Sequence, residues 1–344
     1  MRIPVIAFFN NKGGVGKTSL VYHAAWMISG LGLRVVAADL DPQCNLSAAF
    51  LDEDRLEEVF LSGAEYPPTI HGAVRPLTKG VGDISEPWLE RIDDNLALII
   101  GDIALSEFED MLSQDWPLCL DRKERAFRVI SAFSRVLQAG AKQMGANVIL
   151  MDVGPNLGAI NRAAIIAADF LVIPLGPDLY SLQGLRNLGP TLASWWTGWK
   201  ERFEKNPVGE LELPGWNMNV LGYIVMQHSV YSGRPVKSYE KWINRIPGHY
   251  RRYLFNQELP AGIFVDNDPN CLARLKHYRG LMPMAQEARK PIFHLKPADG
   301  ALGSHMVAVQ DAFRDFMELS TKIIDRAGIP MLDNPLLSLF MRQS

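Results

Sequence analysis

Along the chain, short uninterrupted apolar runs alternate with longer stretches in which apolar residues recur every three or four positions. The runs are IPVIAFF from residue 3, RVVAADL from 34, LALIIGD from 96, NVILMDV from 147, FLVIPLG from 170 and VLGYIVM from 220. Helical patterns between and after them cover about 18–30, 46–60, a set ending near 143, then 157–167, 181–205, 235–246 and 301–326. Strands that are apolar throughout, separated by helices, imply a parallel sheet buried on both faces and joined by right-handed crossovers. The expectation is an α/β, doubly wound fold.

Two stretches break the pattern. Residues 62–93 are rich in Pro and Gly and show no period, and 205–217 are similar. Both read as surface insertions in one domain spanning 1–328, with 329–344 as a tail.

Composition changes this picture little. A chain of 344 residues with 48% hydrophobic and 21% charged residues can bury a large core. The net charge of −3 hides an asymmetry, because residues 231–290 hold eleven Lys and Arg against five Asp and Glu. That is a basic region on an acidic body. No run approaches the roughly 18 apolar residues of a membrane span. The start has neither a basic leader nor a small-residue cleavage site, so a cytoplasmic protein is expected. Cys44, Cys119 and Cys271 are too scattered for a disulfide framework or a Cys-x-x-Cys metal site.

The chemistry begins at residues 10–19, NNKGGVGKTS, between the first strand and the first helix. A phosphate-binding loop reads G-x-x-x-x-G-K-[ST], with glycines that let backbone N–H groups converge on phosphate oxygens at a helix N-terminus. Gly16, Lys17 and Thr18 supply its end: Lys17 would reach the β and γ phosphates and Thr18 would hold Mg²⁺. The loop's first glycine is replaced by Asn11, however, and a second lysine, Lys12, stands beside it. Three carboxylates follow at strand ends, Asp39 and Asp41 in DLDPQCN and Asp152 in NVILMDVGPNLG. In a doubly wound sheet such positions lie at the edge where ligands bind.

With KGGVGKTS, VVAADLDPQCNLS and VILMDVGPNLGAINRAAIIAADFLVIPLGPDLYSLQGL, the sequence resembles the ParA/MinD family of deviant Walker ATPases, nearest to its small ParA-type members. The resemblance implies a P-loop fold, ATP and Mg²⁺ as cofactors, and phosphates lined by Gly13, Gly14, Val15, Gly16, Lys17, Thr18 and Ser19. It implies that Lys12 reaches the phosphates of a partner subunit in a homodimer sandwiching two ATP, that Asp41 orients the attacking water, and that Asp39 and Asp152 contact Mg²⁺ through its waters. Hydrolysis is then slow, stimulated by a ParB-like or other partner protein, and serves plasmid or chromosome partition or cargo positioning on the nucleoid. Gly154 and Gly101 stand where the family commonly has proline; neither is expected to touch this chemistry. The alternative within the same resemblance is a MinD-like membrane-associated switch. A metal-cluster relative would need two bridging cysteines, and Cys119 and Cys271 lack matching surroundings.

Arg234, Lys237, Lys241 and Arg245 form a cationic stripe on the 235–246 pattern, whose end is placed at Pro247 and Gly248. Taken with the resemblance, they are candidates for non-specific DNA binding. The stripe Leu182, Leu185, Leu188, Leu192, Trp195, Trp199 and Phe203 reads as core packing. The tail has Arg342 as its only base and is broken by Pro335, so no membrane attachment is expected.

Overall fold

A computed structural model describes residues 2–331 except 62, 216–217, 229, 232–233, 236 and 279, and the side chains of 227–239 lie outside the description. The chain begins with β1 (Val5–Phe8), α1 (Lys17–Gly30), β2 (Val35–Asp39), α2 (Asn45–Phe50), α3 (Glu53–Leu61), α4 (Ile70–Lys79), β3 (Glu90–Asp93) and β4 (Leu96–Ile99). It continues with α5 (Phe108–Leu118), α6 (Glu124–Ile130), α7 (Ala132–Met144), β5 (Val148–Asp152), α8 (Ala159–Ala167), β6 (Phe170–Leu175), α9 (Leu179–Phe203) and β7 (Asn219–His228). A ribbon of β8 (Val230–Tyr231) and β9 (Arg234–Pro235) precedes α10 (Lys237–Ile243), α11 (Ile246–Phe255), β10 (Cys271–Lys276), α12 (Leu281–Ala288) and α13 (Ser304–Arg326).

Eight strands form one sheet in the order β10-β7-β6-β1-β5-β2-β4-β3, parallel except for the β3–β4 pair at one edge. Alternation along β1 explains the two-sided core: Val5 and Ala7 belong to one apolar cluster, and Ile6 and Phe8 to the other. Helices therefore cover both faces. The stripe on α9 is core, with Leu182, Leu185, Leu188, Leu192, Trp195 and Trp199 buried.

Three expectations need correction. The 46–60 helix is two helices, because Leu51 between α2 and α3 is extended. Residues 62–93 are not an aperiodic surface insertion: α4 buries Ile70, Ala73, Val74 and Leu77, Thr69 caps it through Gly72 N, and β3 completes the sheet. Pro76 inside α4 hides that helix from a reading by composition. Nor do Pro247 and Gly248 end the basic helix. It ends at Ile243, and Pro247 occupies the first turn of α11, where a missing N–H costs nothing.

Strand order also separates charge. Residues 52–94, which end at the β3 edge, carry eleven acidic and four basic residues, whereas residues 231–290, with eleven basic and five acidic, include β10 at the opposite edge.

Candidate nucleotide site

β1 leads into the glycine loop, and α1 starts at its end with Gly16 as N-cap. Gly14 and Gly16 have φ of 72° and 87°, a region that a side chain makes costly, so glycine is needed for this turn. The loop opens on a cleft of about 750 Å³ lined by Gly13, Gly14, Gly16, Lys17, Thr18, Ser19 and Asp41 among others. Val15 is instead buried in the protein, 4% exposed. A smaller cavity adjoins the cleft, sharing Gly16, Ser19 and His23 with it, and is walled by Met226, His277, Tyr278 and Met282 from the ends of β7 and β10 and the start of α12.

The carboxylates come together as their strand-end positions suggest. Asp39 and Asp152 are register partners on adjacent strands, and Asp152 is also paired with Phe8 of β1. Both are fully buried, so they stand behind the cleft rather than in its wall. Asp39 Oδ2 accepts from the Ser47 amide and hydroxyl, each at 2.8 Å, and its Oδ1 accepts from Asp41 N at 3.2 Å. Burial pushes Asp39 up to about 6, against the Ser47 bonds. Burial and then the Asp39 charge push Asp152 up to about 8, while the nearby Thr18 hydroxyl and Lys17 ammonium pull it down. Burial lowers the Lys17 pKa, and Asp152 and Asp41 oppose that shift.

Both Asp152 oxygens lack a hydrogen-bond partner. An unpaired buried acceptor costs roughly 1–3 kcal/mol, more when charged, so this position fits a hydrated cation facing it. Among the described residues no group of three or more His, Cys, Asp or Glu could hold a metal ion. A divalent ion here would depend on Thr18, on phosphate oxygens and on its own waters.

Lys12 points elsewhere. Its Nζ lies 2.5 Å from Asp178 Oδ2 and 5.9 Å from the centre of the Tyr180 ring, at the start of α9. Asp178 caps α9 by accepting from Ser181 N at 2.9 Å. Burial would raise its pKa, but Lys12 and the cap outweigh burial and lower it.

Gly101 and Gly154, not expected to matter from the sequence, lie close to two of the candidate carboxylates. A Cβ on Gly101 would lie 2.8 Å from Asp39 Cγ, and Gly101 N donates to Ser47 Oγ at 2.8 Å. A Cβ on Gly154 would lie 3.3 Å from Asp41 Oδ1. Ser47 was readable only as part of a motif; its contact to Asp39 comes from the turn into α2. Two further groups near the loop carry no sequence signal, Glu109 and the buried His23.

Of the four basic candidates, Arg234 and Lys237 have side chains outside the described residues. Lys241 and Arg245 are exposed and flank Trp242, 4.9 and 5.4 Å from its ring centre. Arg252 is exposed beside Tyr253, which extends the patch onto α11. Several other described cations of the basic region are paired internally, including Arg251 with Asp268, Lys276 with Asp311 and Lys290 with Asp299.

Strand, glycine loop and helix, with acids at the neighbouring strand ends, define a P-loop nucleotide-binding protein. The AAA_31 family, an AAA domain, matches residues 3–204. Protein IncC of Escherichia coli is 34% identical over 185 residues, covering 54% of this chain and 44% of IncC. A ParA family protein of Mycoplasma pneumoniae is 28% identical over 209 residues, covering 59% of this chain and 67% of that protein. The chain thus spans less than half the length of IncC. Among solved structures, protein DIP2308 from Corynebacterium diphtheriae superposes with a TM-score of 0.71 at 24% identity, covering 94% of this chain and 98% of that one. The chain belongs to the ParA/MinD-type family of P-loop ATPases, whose AAA domain fills most of its sheet.

Proposed function

We propose that the chain is a Mg²⁺-dependent ATPase that dimerises on ATP, binds DNA without sequence preference as the dimer, and partitions DNA or positions another cargo, with hydrolysis stimulated by a partner protein. The observation that carries this reading is Lys12. Lys17 already lies in the cleft wall, whereas Lys12 is not in that wall and reaches Asp178 instead. A lysine so placed suits phosphates presented by a second subunit, and a cation supplied in trans stabilises charge on a transferring phosphoryl group. The carboxyl-edge loops support a self-association surface, since Ile103, Leu157, Leu179 and Tyr180 there are exposed.

In this reading the loop amides and Lys17 hold the triphosphate, and Asp41, in the cleft wall, orients water. The water oxygen bonds to the γ-phosphorus as the β–γ bridging P–O bond breaks, ADP leaves, and the proton ends on phosphate. Thr18, with Asp39 and Asp152 behind it, would hold Mg²⁺, which when bound supplies positive charge to the phosphate oxygens. Lys241 and Arg245, with Arg234 and Lys237, would contact the DNA backbone, making the protein nucleoid-associated in a cytoplasm.

The test is a gel shift of a long random-sequence duplex with Asp41→Ala protein, with ATP, with ADP and without nucleotide, at two salt concentrations. Binding only with ATP and weakening steeply with salt is expected. Binding in no state removes DNA from the account.

A further inference from the structure

The loop between Asp152 and α8 is wedged into the site from two sides. A Cβ on Gly154 would lie 3.3 Å from Asp41 Oδ1, and Pro155 lines the cleft and lies 3.9 Å from the Cβ position of Gly13. This loop therefore passes close to both the phosphate loop and the carboxylate assigned to the water. Two side chains from outside the loop determine where it sits.

The first is Glu109 of α5. Its Oε1 accepts from Ala159 N at 2.5 Å and its Oε2 from Ile160 N at 2.7 Å. Those are the first two amides of α8, whose own N-cap residue, Gly158, has no side chain to cap them. A carboxylate there meets free N–H groups and the positive end of the helix dipole together. The fit is close: a Cβ on Gly158 would lie 2.6 Å from Glu109 Oε1. The second is Asn161, 1% exposed, whose Nδ2 donates to Gly154 O at 2.8 Å and to Asn156 O at 2.7 Å. Glu109 fixes the start of α8, and Asn161, one residue beyond the capped amides, ties the loop back to it.

We infer that Glu109 is a positioning residue for hydrolysis: by capping α8 from α5 it sets the Gly154–Gly158 loop, and through Gly154 the orientation of Asp41. The inference rests on the ATPase reading above. Glu109 itself touches neither the phosphate loop nor the cleft wall. Its loss therefore shifts the loop beside Asp41 without removing any group that would contact phosphate, and disturbs the cradle only through Pro155.

The experiment uses the full chain with Glu109→Gln, Glu109→Ala and the neighbouring exposed Asp110→Ala as control. ATP affinity is measured by direct titration and hydrolysis at saturating Mg²⁺ and ATP. A displacement of about 1 Å at a catalytic group costs up to about 100-fold. The expected result is a kcat at least about tenfold lower in both Glu109 variants, with a smaller change in the ATP dissociation constant and Asp110→Ala like wild type. A Glu109→Gln protein that loses thermal stability yet keeps full kcat overturns the inference and leaves only a helix cap. Amide exchange at Ala159 and Ile160 reads the clamp without activity: it rises in Glu109→Gln if the carboxylate holds those amides, and an unchanged rate overturns the clamp. A wild-type chain that never hydrolyses ATP while those amides respond overturns the hydrolysis role and leaves the clamp standing.

Discussion

Lys12 Nζ and Asp178 Oδ2 lie 2.5 Å apart, so the lysine assigned to a second subunit is held by its own chain at the N-terminus of α9. Reaching across a dimer requires that contact to break. The pair is about a third exposed on each side, and such a pair contributes about 0–1 kcal/mol. Asp178→Asn keeps the cap on Ser181 N and removes the charge. It should lower the ATP concentration for half-maximal dimerisation by up to about fivefold, read by sedimentation. Lys12→Ala should still bind ATP and fail to dimerise. An Asp178→Asn curve that superposes on wild type would show that the pair does not compete with assembly.

Ser47 links Asp39 to Gly101. Its hydroxyl donates to Asp39 and accepts from Gly101 N. Ser47→Ala leaves a buried amide unpaired and removes one bond to a buried carboxylate, at a cost of roughly 1–3 kcal/mol. Gly101→Pro, which restores the residue common in the family, removes the same N–H. Both should melt earlier than wild type. A melting temperature unchanged in both would refute this account of Asp39.

His23 gives a pH dependence. It is fully buried, its Nε2 accepts from Ile292 N at 3.1 Å, and its Nδ1 is 2.6 Å from Ser19 O. Since Nε2 accepts, Nδ1 carries the proton and the ring is neutral. Burial first, then the neighbouring His294, lowers its pKa to about 4, against the Ser19 carbonyl. The unfolded chain, with an ordinary histidine pKa near 6.5, binds this proton when the folded chain does not. Stability from His23 is therefore complete above about pH 6.5 and is lost as pH falls toward 4, by up to about 3 kcal/mol. His71, His249 and His294 are lowered as well and add to the slope. The measurement is denaturant unfolding from pH 4 to 7 of wild type and His23→Gln, whose difference should shrink as pH falls. A constant difference would mean that His23 does not titrate in this range.

On α10 and α11, Lys241, Arg245 and Arg252 carry no carboxylate partner among the described residues. Changing all three to Ala should weaken ATP-dependent DNA binding about equally for all sequences. The salt slope should fall by roughly six for the dimer in a titration of log affinity against log salt, about one per lost phosphate contact in each of two subunits. An unchanged slope would place the DNA elsewhere.

What the sequence made legible followed from burial. β1, β4 and β6 are wholly apolar, and β2 and β5 are apolar up to their last residue, because helices cover both faces; the strand ends then brought Asp39 and Asp152 together. β3 escaped notice because it is an edge strand with Arg91 and Asp93 exposed. α4 escaped because Pro76 breaks the pattern. Contacts made by glycine backbone, such as Gly154 against Asp41, depend on spatial approach and leave no periodic trace. Glu109 looked like any acid in a polar helix, since its target is fifty residues away in the chain.

The separation of charge along the sheet has a mechanical result. With a basic excess in the segment that contains β10 and an acidic excess in the segment that ends at the β3 edge, charge is separated across the sheet. The field of a polyanion such as duplex DNA would exert a torque on that charge distribution before any contact formed, turning the β10 side inward. The molecule would then arrive already oriented, with its acidic edge facing away from the nucleic acid and left open to whatever else it meets.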